Sequence, residues 1–378
     1  MKYFDYAATT PIDEEALNVY VEAAANFYGN TSSLHDIGTK AGDLLQECRK
    51  TLGDILGVSS QGIYFTSGGT EANHLGILSL ALENQNRGKH IITGVAEHSS
   101  VHSAMGYLET QGFQITKLPF TKTGLISLEQ LDKAITKDTI LISMAHANGE
   151  IGSIQHIAGI AELIKSRKIL FHTDMVQSFG KTDIKEIAAM VDSLSISAHK
   201  IYGPKGVGAV YIHPKHAARS IFPNQSHEGG LRGGTVNTPG IASFVTAAGT
   251  VCDISQQTRF QELRELFINN IKSALGDSVL IVEAPKENQL PQVIGLCIKG
   301  LQGQWVMLEC NRRGFGISTG SACQTGQQAI SKTVNALGLS IERGKEFIRI
   351  SMGKHTVKED VTELVQALAD ISKLHCEQ

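Results

Sequence analysis

Cysteine, proline and long runs of one character are all scarce in this chain. Its 378 residues include 6 cysteines and 8 prolines. Cys48, Cys252, Cys297, Cys310, Cys323 and Cys376 form no CxxC pair, so neither a disulfide framework nor a zinc cluster is suggested. The net charge is -3 and no Lys/Arg run is present, so the electrostatic footprint of a nucleic-acid binder is missing. No uninterrupted apolar stretch approaches the roughly 20 residues that span a bilayer. The opening MKYFDYAATTP lacks the apolar segment of a signal peptide. The chain therefore reads as cytoplasmic, without nucleic acid or membrane as a partner.

What is present describes an ordinary globular protein, with 42% hydrophobic and 19% charged residues. Single cores stop growing at around 250 to 300 residues, so the length suggests two domains. Apolar β-type runs alternate with helical patterns through the first two thirds: GIYFTS, HIITGVA, TILISMAH, ILFHTD and DSLSIS. That alternation predicts an α/β fold with a mostly parallel sheet covered by helices on both faces. Beyond about residue 250, long polar helices and the strand-like VIGLCIKG and FIRISMG predict a smaller α+β unit. The expected division is 13–255 for a large domain and 1–12 with 256–378 for a small one. Thr356 and Glu359 read as a capping box ahead of Val361, Leu364, Val365, Leu368 and Ile371 at helical spacing.

In open α/β sheets, ligands bind outside the carboxyl ends of the strands, and there the polar motifs fall. DSLSISAHKIYGPKG delivers Ser197, His199 and Lys200 into a Gly-rich turn. A lysine desolvated at a buried sheet edge can lose its proton and attack a carbonyl; an isolated lysine would read as a surface residue. ILFHTDMVQS ends on Asp174 with Gln177 three residues later. A buried carboxylate can hold the proton on the ring nitrogen of pyridoxal phosphate, with Gln177 at the ring hydroxyl, or Asp174 can cap a helix. FTSGGTEAN offers Gly69 and Thr70 at a helix start suited to a phosphate. His98, in AEHSS, can stack on a ring and exchange protons, or be a structural histidine. In the loop SHEGGLRGGT, Arg232 and Thr235 suit a phosphate. Arg349, in FIRISMG, suits a carboxylate or an ordinary ion pair. Cys323 stands among Gly, Ser, Thr and Gln in GISTGSACQTGQQ and reads as a reactive loop thiol, whereas Cys48 and Cys297 lie in apolar patterns and read as core.

Taken together, from DYAATTP to RISMG, these segments resemble the NifS/IscS type of cysteine desulfurase, in the class V branch of the fold type I pyridoxal-phosphate enzymes. SAHKIYGPKG and the SGSAC loop are the most specific parts. The resemblance implies a seven-stranded, mostly parallel sheet and a homodimer. It implies that Lys200 carries pyridoxal 5'-phosphate, that Asp174 meets the pyridine nitrogen and Gln177 the ring oxygen, and that His98 stacks on the ring and helps to move protons. Gly69, Thr70, Ser197 and His199 would contact the phosphate, with Thr235 reaching it from the partner subunit. Asn30 and Arg349 would hold the carboxylate of L-cysteine. Cys323 would take sulfur as a persulfide, releasing alanine, for delivery to a sulfur-acceptor protein.

Two places depart from that pattern. Where the family commonly reads HVNNEIG this chain has HANGEIG, so the second asparagine is Gly149 and the ring-oxygen contact falls to Asn148 or to Gln177 alone. After the active cysteine, Ala329, Ile330 and Ser331 replace the frequent Glu-Pro-Ser. CNRRG and ISTGSACQ resemble desulfurases that some bacteria associate with NAD synthesis. A selenocysteine lyase or a class V aminotransferase could use the same anchors, but a transaminase has no need of a loop thiol. A non-catalytic effector domain would lack Lys200 or carry a DNA-binding helix-turn-helix.

Overall fold

The computed structural model describes residues 1–251, 256–320 and 330–376. Cys323 and Ala329 lie outside them. After a short strand β1 (Lys2–Tyr3), the main sheet is built from β2 (Ile63–Thr66), β3 (His90–Gly94), β4 (Gln114–Leu118), β5 (Thr139–Ala145), β6 (Leu170–Asp174), β7 (Ser193–Ser197) and β8 (Gly208–Ile212). Their order is β2-β8-β7-β6-β5-β3-β4. Only β8 runs against its neighbours; the other four pairings are parallel. This is the mostly parallel sheet expected from the alternating pattern, with the seven strands that the family resemblance implies. Strands β3, β6 and β7 are buried along their whole length, as parallel strands covered on both faces must be, and the antiparallel β8 between β2 and β7 is buried as well.

The helix Gly69–Glu83 is apolar nearly all round and crosses β7 and β8. Gly76 permits its close approach: a Cβ there would lie 2.6 Å from Ser193 Oγ and 2.8 Å from His172 Cε1.

A second core forms around β9 (Val279–Val282), β10 (Val293–Ile298) and β12 (Phe347–Ser351), in the antiparallel order β12-β10-β9. The helices Gln256–Leu275 and Lys358–Cys376 pack with it, burying Phe267, Ile271, Leu364 and Leu368. Between them in sequence, β11 (Phe315–Gly316) pairs with β1, and Phe4 joins the same core. Val361, Leu364, Val365, Leu368 and Ile371 are buried as their spacing predicts. The capping box does not form. The helix starts at Lys358, Thr356 Oγ1 accepts from Gly353 N at 3.0 Å, and Asp360 accepts from Val357 N at 3.2 Å. Thr356 is thus committed to the preceding turn. Among the described residues no helix is long and apolar enough to cross a membrane.

Candidate active site at the carboxyl edge of the sheet

Strand β7 ends at Ser197 and feeds the short turn Ala198–Lys200. Lys200 Nζ donates to Ala7 O at 2.6 Å and to Ala8 O at 2.8 Å. The segment that receives it is held in place from both sides. Ser351 N donates to Phe4 O at 2.8 Å, and Thr10 N to His199 O at 2.9 Å. Two residues beyond Lys200, Tyr202 adopts φ +66°, a left-handed conformation that costs energy in a non-glycine residue. A cavity of about 650 Å³ opens beside Lys200, lined also by Lys181, Tyr202 and Lys354.

Asp174 terminates β6, one strand from β7. Its Oδ1 accepts from Val176 N at 2.9 Å, and its Oδ2 accepts from Asn73 Nδ2 at 2.7 Å. No helix starts directly after β6, so the backbone contact closes a turn and the helix-cap alternative does not hold; the asparagine contact is not predictable from the local sequence. Asn73 Nδ2 also donates to Ser100 Oγ at 3.0 Å, and Ser100 Oγ lies 2.8 Å from His98 Nδ1. His98 caps the helix Ser99–Thr110 by accepting from Ser100 N. Loss of hydration pushes its imidazole below the ordinary value; Asp174 opposes that shift, while Lys200, Lys332 and His74 add to it. Lys200, Asp174 and His98 therefore act on one another electrostatically.

The helix start at Gly69 has no side-chain cap, and Gly68 takes φ +149°. A Cβ on Gly69 would meet Val176 Cγ2 at 2.7 Å and Ser197 Cβ at 3.5 Å. The buried Ser197 Oγ beside this turn has no hydrogen-bond partner. An orphaned hydroxyl, free backbone N–H groups and glycine-only clearance together make a cradle for an anion such as phosphate. Thr70 is exposed in the first helical turn. His199 sits at the turn with Nδ1 3.2 Å from Thr9 Oγ1. Its imidazole is pushed to about 4 by burial and then by the nearby cations, Lys200 foremost. Arg232, a phosphate candidate from its loop, donates instead to Glu71 at 2.8 Å. Thr235 is exposed.

At the other side Arg349, on β12, donates to Asp5 Oδ1 at 2.6 Å and to Gly149 O at 3.1 Å. Its buried Nε has no partner. Asn30 is exposed and accepts from Ser32 N within its own turn, making no hydrogen bond to Arg349. Gln177 Nε2 donates to Ala7 O at 2.9 Å, the carbonyl that Lys200 also uses, and its Oε1 accepts from Lys181 Nζ at 3.1 Å. Burial, then Lys200 and Arg349, push the Lys181 ammonium down to about 7. At the Gly149 departure, a Cβ would lie 2.8 Å from Gln177 Nε2. Asn148 is committed elsewhere. Its Oδ1 accepts from Glu150 N and Ile151 N, and its Nδ2 donates to Thr333 Oγ1 at 3.1 Å. Gln177 shares the Ala7 carbonyl with Lys200.

The sequence reading missed Ala7, Ala8, Asn73 and Lys181. Asn73 had one signal, a polar amide inside an otherwise apolar helix; backbone carbonyls carry none. The three cysteines whose side chains are described behave as core. Cys48 is pushed up to about 11, and Cys297 and Cys310 to about 12, all chiefly by burial.

A lysine just beyond a strand end, a carboxylate on the neighbouring strand and an anion cradle lie together at the carboxyl edge of a doubly wound α/β sheet. The family model described as aminotransferase class-V matches residues 2–364, and the chain belongs to that family. A NifS protein of Bacillus subtilis (strain 168) is 45% identical over 367 residues, covering 97% of this chain and 93% of the relative. The cysteine desulfurase IscS of Dictyoglomus turgidum (strain DSM 6724 / Z-1310) is 37% identical over 371 residues, covering 98% and 94%. A solved structure described as SspA in complex with cysteine is 32% identical at a TM-score of 0.82, covering 94% of this chain and all of that one.

Proposed function

We propose that this protein is a pyridoxal-phosphate-dependent cysteine desulfurase that works as a homodimer. The observation that carries the reading is the convergence of Lys200, Asp174 and the unpartnered Ser197 hydroxyl at one sheet edge. The names of the Dictyoglomus relative and of the cysteine complex support the substrate.

The residues present fit the coenzyme. Gly69, Thr70, Ser197 and His199 would hold its phosphate, Asp174 its pyridine nitrogen, Gln177 its ring oxygen, and Lys200 Nζ its carbonyl carbon. When bound, pyridoxal phosphate supplies an electron sink for the substrate α-carbon. Lys200 Nζ would accept the substrate α-proton, and the Ala7 and Ala8 carbonyls orient it. Arg349 is the cation available for the substrate carboxylate, with Gly149 O and Asp5 fixing its guanidinium. The exposed Thr235 is free to meet a partner subunit.

Cys323 lies outside the described residues, and its role rests on the motif. Its thiolate attacks the sulfur of L-cysteine, the substrate Cβ–S bond breaks, and a protonated Cβ leaves as alanine. A persulfide remains on Cys323, and no external oxidant or reductant is needed. Mass spectrometry of the holoenzyme after incubation with L-cysteine tests this. One added sulfur on Cys323, with alanine formed stoichiometrically, is expected; alanine-free turnover to pyruvate or an oxo acid, with Cys323 unmodified, would refute it. Selenocysteine, offered in parallel, separates a lyase.

A further inference from the structure

We infer that Asn73 is a positioning residue that sets the direction of a buried hydrogen-bond chain from Ser193 to His98, keeping His98 a neutral donor at Nε2. The inference rests on the placement of His98 at the reacting centre.

The direction follows from groups whose roles are fixed. Backbone Ser100 N can only donate, and it lies 3.2 Å from His98 Nδ1. In the neutral ring Nδ1 is therefore an acceptor and the proton sits on Nε2. The Asn73 amide is oriented by Asp174, a carboxylate that only accepts, at 2.7 Å from Nδ2. The second Nδ2 proton points at Ser100 Oγ, 3.0 Å away. With one lone pair so occupied, the Ser100 hydroxyl proton is free for His98 Nδ1 at 2.8 Å. On the far side, Asn73 Oδ1 can only accept, so His172 Nε2, 3.1 Å away, carries a proton. His172 Nδ1 is then the acceptor for the Ser193 hydroxyl at 3.0 Å. Along this line every donor meets one acceptor: Ser193 to His172, His172 to Asn73, Asn73 to Ser100, and Ser100 to His98.

The chain is sealed. Asn73, Ser100, His172, Asp174 and Ser193 are all buried. His172 is pushed to about 3 by burial, so it does not charge and reverse the line. Gly76 lets the helix carrying Asn73 approach Ser193 and His172 closely. The charges around His98 are Asp174 from β6, Lys200 from the turn after β7, Lys332 from its own helix, and His74 from the helix of Asn73; His102 and His199 also sense it. Asp174 alone favours protonation, and Asn73 takes up one oxygen of that carboxylate.

The chemical consequence is specific. With Nδ1 doubly engaged as an acceptor, the neutral His98 has no lone pair on Nε2, so it can hydrogen-bond to a substrate or ring oxygen but cannot take a proton there. The base of the reaction is left to Lys200.

The test uses the full-length holoenzyme, with histidine labelled by heavy nitrogen, and long-range nitrogen–proton spectra across the neutral pH range. Wild type should show His98 with Nε2 protonated and Nδ1 bare. In Asn73→Asp the amide donor is lost and a carboxylate faces Ser100, so the His98 titration should move up by about one to three pH units. The acid limb of kcat/KM should move with it, which a purely structural loss would not produce. If that variant does not fold, Asn73→Ser offers a smaller shift in the same direction. A proton on Nδ1 in wild type, or identical His98 titration in the folded variant, overturns the inference. Sulfur on Cys323 is read separately, so its absence would sink the desulfurase reading while leaving the tautomer standing.

Discussion

Strands β6 and β7 and strands β10 and β12 are equally buried yet carry different loads. The first pair buries His172, Thr173, Asp174, Ser193, Ser195 and Ser197; the second buries Val293, Ile294, Leu296, Ile298, Phe347, Ile348 and Ile350, with Arg349 and Ser351 as its polar residues. In the first pair, the hydroxyls of Thr173, Ser195 and Ser197 have no partner, and each such group costs on the order of 1–3 kcal/mol. The second pair is nearly free of that cost. Polar burial is concentrated where chemistry needs directed donors, and the apolar sheet supplies a firm mount for Arg349 and for the segment around Ala7.

The largest expected effect tests the working edge itself. Lys200→Ala should abolish turnover and the borohydride-reducible coenzyme linkage; a reducible linkage surviving in that variant would reassign the carrier lysine. On the apolar side, Phe267 is fully buried in the second core, and Phe267→Ala should destabilise the protein by about 3–5 kcal/mol in denaturant melts. The comparison predicts that the His98 nitrogen spectrum stays unchanged in the folded variant. A shifted spectrum would show that the two sheets are not separable in this way.

A third test concerns Glu97, beside His98. Its Oε1 accepts from Ala145 N at 2.9 Å, its Oε2 has no partner, and burial pushes the carboxyl from 4.5 up to about 8. A raised acid contributes stability that is complete below pH 4.5 and is lost as pH rises towards 8. Glu97→Gln keeps a carbonyl acceptor and removes the ionisation, so its advantage over wild type should grow with pH in chemical denaturation. A pH-independent difference would mean that Glu97 is not protonated in the folded state. The smallest effect is at Gly149. Gly149→Ala should displace the Gln177 amide and alter the absorption of bound coenzyme, with about 1 kcal/mol of stability lost. An unchanged spectrum would remove Gln177 from the ring oxygen.

The strands at the working edge were legible because TILISMAH, ILFHTD and DSLSIS are apolar runs that stop at polar residues, and Lys200 and Asp174 were legible as those stops. Their pairing partners were not. Asn148 reads as a free amide in HANGE, but Thr333, 185 residues away, takes its Nδ2. Arg232 reads as a phosphate ligand until the fold sets Glu71 against it, 161 residues away.

The sequence alone determined the layered α/β plan, the strand ends that carry Lys200 and Asp174, the core character of Cys48 and Cys297, and the family resemblance, since each is written in local periodicity or contiguous motif. Tertiary structure decided which groups face one another: Ala7 and Ala8 with Lys200, Asn73 with Asp174 and Ser100, and Gly149 beneath Gln177. Strand order and helix approach set those contacts, and a hydrogen bond depends on distances of a few tenths of an ångström between residues that the sequence keeps up to 193 positions apart.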